Sequence, residues 1–327
     1  MTQSDLYDLV IIGGGPGGIS AGIYAMRAAL KTTLVEKGVP GGQVIVTGEV
    51  ENYPGFKRIG GAELSMKLAD HVQSYGIEMI TQEVEALNPG LEYHSVHLAD
   101  GRVLRSYAVI LATGGTPRKL NIPGEDTYYG KGVSYCATCD GFFFRDKTVV
   151  VVGGGDTAAE EALYLARLCD KVYIAHRRDA LRASAILKER IRNECKIEIL
   201  WNTIVTEIKA SQNEVNEVVL QDTRNGRIRL LAVDGVFVFI GFTPNNQLVP
   251  AGTRMNVDGL VITDGKCATD TPGIYVIGDL REKYGRQIVL SAADGCTAAL
   301  AAAHFVEAKK SIQEKTVCAT SPSPLRD

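Results

Sequence analysis

One pattern is written twice in this chain, and it limits the possible folds more than any other feature. Tyr7 to Lys37, YDLVIIGGGPGGISAGIYAMRAALKTTLVEK, reads as an apolar strand, a glycine turn, an amphipathic helix and a second strand ending in an acid. Lys147 to Arg178, KTVVVVGGGDTAAEEALYLARLCDKVYIAHRR, repeats that order. A lone G-x-G-x-x-G is a weak signal. Here each copy follows a β-branched strand and opens a helix, the context that a dinucleotide-binding βαβ unit requires. Gly13, Gly15 and Gly18 form the first fingerprint, with Pro16 opening its helix. Gly153, Gly155 and Ala158 form the second, with Asp156 and Thr157 at its helix start. Small residues at these positions permit the tight turn, the approach of a pyrophosphate to backbone N–H groups, and close helix–sheet packing. The repeat predicts an α/β protein with two related Rossmann-like domains.

The copies differ at the end of their second strands. Gly13 to Glu36 is 23 positions, and so is Gly153 to His176. Glu36 places an acid where ribose hydroxyls need an acceptor. The second copy places His176, Arg177 and Arg178 there, with Arg182 a little further on, and cations suit a 2′-phosphate. The first site is thus suited to an adenine dinucleotide lacking that phosphate, the second to NADPH.

Two apolar strands, in ILATGGTPR (Ile110 to Arg118) and FIGFTPNN (Phe239 to Asn246), end in Gly and Thr-Pro and mark places where the chain crosses between domains. A later strand, TPGIYVIGDL, ends in Gly278-Asp279 and leads through Arg286 and Gln287 into a long helical pattern. With the second domain complete by then, this segment is expected to return and finish the first. The boundaries expected are 1–115 and 245–327 for the first domain and 116–244 for an inserted second one. The Ser/Pro-rich tail VCATSPSPLRD is expected to fray.

A chain of 327 residues is long enough for two such cores, and its net charge of −3 argues against general nucleic-acid binding. The start, MTQSDL, carries no basic leader, and apolar runs such as TVVVVGGG and VFVFIGF are too short to span a bilayer. A cytoplasmic protein with no membrane partner is expected, and its seven cysteines should be mostly reduced thiols.

Against that background SYCATCDGFFFRD, Ser134 to Asp146, stands out, because it sets Cys136 and Cys139 in a C-x-x-C just before the second fingerprint. Zinc usually takes four Cys or His ligands, and no second pair or nearby histidine is present, so a metal is disfavoured. The redox use needs one thiolate to attack and a neighbour to resolve, which this spacing permits, and the adjacent Asp140 could move protons. A dithiol beside two dinucleotide sites suggests electrons passing from nicotinamide to flavin to disulfide to an outside protein.

Taken together, GGGPGG, GGQVIVTGEVENYPGF, ATGGTPR, CATCDGFF, GGGDTAAEEALYLA, HRRDALRA, IGFTPN and GDLREKYGRQ resemble the low-molecular-weight thioredoxin reductases over nearly the whole chain. The resemblance implies a discontinuous FAD domain with an NADPH domain inserted into it, a homodimer, and oxidised thioredoxin as the partner that is reduced. It implies that Gly13, Gly15, Gly18 and Glu36 hold the adenosine half of FAD. Gly41, Gly42, Gln43 and Asn52 would then lie along the cofactor towards its ring, with Gly278-Asp279 near the ribityl and pyrophosphate and Arg286 and Gln287 near the flavin. Gly153, Gly155 and Asp156 would line the NADPH pyrophosphate, with His176, Arg177, Arg178 and Arg182 around the 2′-phosphate. Cys139 would exchange with the flavin, Cys136 would attack thioredoxin, Asp140 would serve as acid/base, and Phe142 and Phe143 are either docking surface or core. The family alternates by rotating the inserted domain about its two crossings.

Two departures stand out. Gly17 replaces a common alanine, and Ala293-Asp294 replaces a glycine-containing pair; neither removes a donor or a charge. Alternatives to this reading are a relative serving another redoxin, one using a different electron donor or acceptor, and a nucleotide-sensing regulator with a cysteine switch.

Overall fold

The run Leu9-Val10-Ile11-Ile12 is apolar at every position, as a strand buried on both faces must be. In the computed structural model, which describes residues 6–47 and 49–320 (the side chains at 46, 49 and 314–320 excepted), Leu6–Ile12 lies inside a seven-stranded sheet. Thr32–Glu36 and then Glu78–Thr81 flank it on one side in parallel; Val103–Leu111 flanks it on the other. Beyond Val103–Leu111 come the antiparallel strands His94–Leu98 and Val84–Asn88, while Ile274–Val276 pairs in parallel with its C-terminal half, Val109 to Leu111. Leu9 and Ile11 face one way, into a core shared with Ala21, Ala25, Ala298 and Ala302. Val10 and Ile12 face the other, towards Leu98, Val109 and Leu280.

The chain divides into two compact units. The first comprises Met1–Ile45, Ala62–Gly115 and Pro244–Asp327; the second comprises Val46–Gly61 and Thr116–Thr243. In the first, helix Pro16–Arg27 packs along the long helix Ile288–Thr320. Small residues set the closeness of that crossing, since a Cβ on Gly17 would stand 3.1 Å from the Ser291 carbonyl oxygen and 3.2 Å from Ile277 Cδ1. The departure at Gly17 is therefore a packing residue.

In the second unit five parallel strands run in the order Val133–Ser134, Gly235–Phe239, Thr148–Gly153, Lys171–His176, Ile197–Trp201. Val149 and Val151 pack beneath helix Asp156–Ala166; Val150 and Val152 meet Val205, Val218 and Leu220 of a three-stranded antiparallel sheet. That sheet's hairpin turns at Gln212 and Asn213, both in the left-handed region with φ of 53° and 70°, as a two-residue turn requires. The two Thr-Pro segments, Gly115–Pro117 and Phe242–Pro244, pair with each other as a two-stranded ladder.

Not every apolar segment is too short to span a bilayer, contrary to the reading of the sequence. Ile288–Gln313, 26 residues, is long and apolar enough by length and composition to cross a membrane. Its apolarity is spread over alanines, which build no conspicuous run, and Ala298, Ala299, Ala302 and Val306 are buried in the core of the first unit. One face of this helix is thus taken up by packing within the first unit. The helix backbone carries through Thr320, so the tail's expected fraying concerns residues 321–327, which lie outside the described residues.

Candidate functional site

In the second unit, helix Ala137–Asp140 follows Cys136 directly, and Cys136 and Cys139 are joined as a disulfide with their Cα atoms 5.3 Å apart. Both cysteines are half-buried. The hub of this turn is Ser134: its hydroxyl accepts the Cys136 N–H at 3.1 Å and donates to Asp140 Oδ2 at 2.5 Å. Burial pushes the Asp140 carboxyl up to about 6, against the opposing effect of the Ser134 hydrogen bond. Tyr129 lies close enough that the Asp140 charge adds to burial in raising its phenol. From helix Asp156–Ala166, Glu161 Oε2 accepts the Ala137 N–H at 3.1 Å.

Neither Ser134 nor Glu161 is picked out by motif spacing. Ser134 could have been found as a serine two residues before a turn that needs its N–H satisfied. Glu161 could have been found from periodicity, since Ala158, Ala159 and Ala162 form the buried stripe and Glu161 sits on its flank.

Phe142 is exposed with the Arg145 guanidinium over its ring, while Phe143 is partly buried against the core of this unit. Among the described residues no cluster of three His, Cys, Asp or Glu side chains could hold a metal.

The second fingerprint turn is built as its sequence requires. A Cβ on Gly153 would stand 2.7 Å from Ala158 Cβ, so strand and helix meet at their smallest residues. Gly155 has open space where its Cβ would be, which fits a backbone that a pyrophosphate approaches. Arg182 N–H donates to the Gly154 carbonyl at 2.7 Å, and Asp156 Oδ1 accepts the Ser184 N–H at 2.6 Å, so the basic loop closes over the turn. Thr157 is exposed at the helix start. Arg177, Arg178 and Arg182 are exposed, and their guanidinium groups have no ion-pair or hydrogen-bond partner among the described residues. Free cations here fit a phosphate.

His176 is placed differently from the arginines. Its ring is buried, with Nδ1 2.8 Å from the Gly153 carbonyl and Nε2 2.9 Å from the Ala180 carbonyl. It braces the turn from within, and Trp201 meets it edge to face.

In the first unit, Glu36 Oε2 accepts the Gly14 N–H at 2.6 Å and Oε1 accepts the Gly38 N–H at 3.0 Å, leaving lone pairs for ribose hydroxyls. A Cβ on Gly18 would run into the Gly13 carbonyl oxygen, and Gly13 itself has φ of +110°. Gly15 faces Gly42, whose Cβ would lie 3.3 Å from Gly15 Cα, so Gly41-Gly42 lies against the fingerprint. Gln43 is exposed beside them. Asn52 belongs to Val46–Gly61, which clusters with the second unit.

Asp279 lies in the turn Gly278–Leu280, and its buried Oδ1 has Lys283 Nζ 3.4 Å away as an ion-pair partner. Burial raises this carboxyl, opposed by Lys283 and Arg286. A buried carboxylate beside a glycine turn keeps lone pairs that a ligand hydroxyl would take up, and the residues present fit FAD. Asp294 proves to be structural: it accepts from Arg281 at 2.7 Å and from the Gly278 N–H at 3.1 Å, and Lys283 stands 3.5 Å away. It latches the Gly278–Leu280 turn to the long helix. Arg286 is exposed and Gln287 half-buried just before that helix.

The family model for pyridine nucleotide-disulphide oxidoreductases matches residues 7–302. The chain is 43% identical over 307 residues to the thioredoxin reductase of Bacillus subtilis, covering 94% of this chain and 97% of that one. It is 39% identical over 309 residues to the thioredoxin reductase of Helicobacter pylori, covering 92% and 99%. The crystal structure of thioredoxin reductase from Streptococcus pyogenes matches with a TM-score of 0.90 at 40% identity, over 93% of this chain and 99% of that one. A phosphate-suited fingerprint, a second one closed by Glu36, and a disulfide with a buried acid beside it agree with those likenesses: the chain belongs to the pyridine nucleotide-disulphide oxidoreductases, among the FAD- and NADPH-dependent thioredoxin reductases.

Proposed function

We propose that this chain reduces the disulfide of thioredoxin with electrons from NADPH, as a cytoplasmic homodimer, and that Cys136, Cys139 and Asp140 carry the thiol chemistry. The observation that carries the reading is the Cys136–Cys139 disulfide with the Asp140 carboxyl beside it, which burial pushes up to about 6. FAD, when bound, supplies the two-electron exchange between nicotinamide and disulfide. Gly13, Gly15, Gly18, Glu36, Gly41, Gly42, Gln43, Asn52, Asp279, Arg286 and Gln287 bind it. Arg177, Arg178 and Arg182 take the 2′-phosphate of NADPH, with Gly153, Gly155 and Asp156 at its pyrophosphate.

Once the pair is a dithiol, the Cys136 thiolate attacks one sulfur of the thioredoxin disulfide. An intermolecular S–S bond forms, the thioredoxin S–S bond breaks, and the departing sulfur takes a proton. Cys139, deprotonated, then attacks Cys136 Sγ, closing the internal disulfide and releasing the second thioredoxin thiol. A carboxyl near 6 can both hold and accept a proton during these transfers, which suits Asp140 to the role.

Anaerobic titration of the yellow holoenzyme tests the reading. NADPH should bleach the flavin band, and oxidised thioredoxin should restore it. A band that NADPH leaves untouched, or that thioredoxin does not restore, overturns it. Cys139→Ser should trap thioredoxin on Cys136 as a mixed disulfide, and Cys136→Ser should trap none.

A further inference from the structure

The Cys136–Cys139 turn is held from two sides by carboxyl groups, and the reaction as proposed uses only one of them. Asp140 lies within the turn. Glu161 comes from helix Asp156–Ala166, 24 positions after Ala137, and its Oε2 accepts the Ala137 N–H at 3.1 Å. The Thr138 N–H also favours its charged form. The two residues that Glu161 grips are those between the sulfurs. Burial raises the Glu161 carboxyl, and the neighbouring Glu160 charge adds to that. A buried carboxylate next to a thiol disfavours the thiolate, because like charges repel strongly where water is scarce.

We propose that Glu161 is a positioning residue of the redox centre: it clamps Ala137-Thr138 between the two cysteines, and its charge restrains the Cys136 thiolate. The clamp keeps the sulfurs at bonding separation as the pair cycles. The restraint keeps the free dithiol from reacting with adventitious oxidants before a partner disulfide arrives. This role rests on Cys136 being the exchanging thiol of the proposed function. Among the described residues the one charge acting on it is Glu160 on its own helix, and Cys136 and Cys139 flank the two residues whose N–H groups it holds.

The test uses the full-length, FAD-loaded protein in a Cys139→Ser background, where Cys136 has no disulfide partner in the turn. Its alkylation by iodoacetamide is followed against pH by mass spectrometry of the Cys136 peptide. Glu161→Gln keeps an acceptor oxygen and removes the charge. Its alkylation midpoint should fall by about one pH unit, read as roughly five- to tenfold faster reaction below the midpoint. Amide exchange at Ala137 should stay slow in this variant. Glu161→Asp keeps the charge but shortens the reach, so the midpoint should stay near the parent's while Ala137 exchange speeds up. A Glu161→Gln profile that coincides with the parent's or moves upward overturns the proposal, as does unchanged Ala137 exchange in Glu161→Asp. Should thioredoxin prove not to be a substrate while these shifts appear, the functional reading fails and the role of Glu161 stands.

Discussion

Asp140 is raised from 3.8 to about 6, so the folded protein holds a proton that the unfolded chain releases. Between those values the native state binds more protons. The stability this group contributes is therefore full below about pH 4 and lost as pH rises through 6. Asp140→Asn removes that dependence, and its melting temperature relative to the parent should be higher at pH 8 than at pH 4. Turnover with thioredoxin should fall about 10²–10⁴-fold in the same variant, the usual worth of a general acid, while flavin reduction by NADPH survives. Ser134 lowers the Asp140 carboxyl through its hydrogen bond, so Ser134→Ala should move the pH–rate profile of thioredoxin reduction to a higher apparent pKa. A profile that moves down, or stays, assigns that proton to another group. The sequence made Asp140 legible because it adjoins Cys139. It left Glu161 unread because its role comes from a side chain reaching 24 positions back, and Ser134 because no motif marks a local hydroxyl that serves a turn. His176 shows the same limit: spacing put it at the ribose position, and only packing decides that its ring turns inward onto two carbonyls.

Strand, turn and helix in each fingerprint were legible because glycine constrains backbone directly and in place. The two glycines of the second turn can now be told apart. Gly153→Ala must push against Ala158 and the Phe239 carbonyl, an overpacking cost of about 1–3 kcal/mol. Gly155 is extended at φ −90° with open space around its missing Cβ, so Gly155→Ala should cost at most about 1 kcal/mol as a poorer helix cap. Its NADPH affinity should nonetheless drop, and isothermal titration beside thermal unfolding separates the two effects. Intact affinity would mean that no pyrophosphate comes near. At the other end of this element, replacing Arg177 and Arg178 by alanine should lower kcat/KM for NADPH by about two orders of magnitude, since two charge-assisted hydrogen bonds are lost. NADH should hardly respond, and equal loss for both nucleotides would make these arginines structural. The long helix was legible as a helix but not as the partner of Pro16–Arg27, because the match between Gly17 and Ser291 is a property of two distant surfaces.

Two units with separate cores should melt with separate ligand responses. FAD, held mainly by residues of the first unit, should stabilise that unit by about 2.7 kcal/mol at a hundredfold excess over its Kd. Calorimetry should accordingly show removal of flavin lowering one transition and leaving the other in place. A single transition, shifted whole, would mean that the units unfold as one. The nesting also fixes an order in time. Apart from Val46–Gly61, the second unit is one continuous stretch, Thr116–Thr243, whereas the first still lacks Ile274–Val276 and the packing face of Ile288–Thr320 when that stretch is finished. During synthesis, with the N-terminal end emerging first, the dithiol unit can close its core while the flavin unit is an open sheet with Val109 to Leu111 missing a neighbour on one side. In a nascent chain the thiols are therefore housed before the flavin that serves them can bind, and the last quarter of the message decides whether the enzyme acquires its colour.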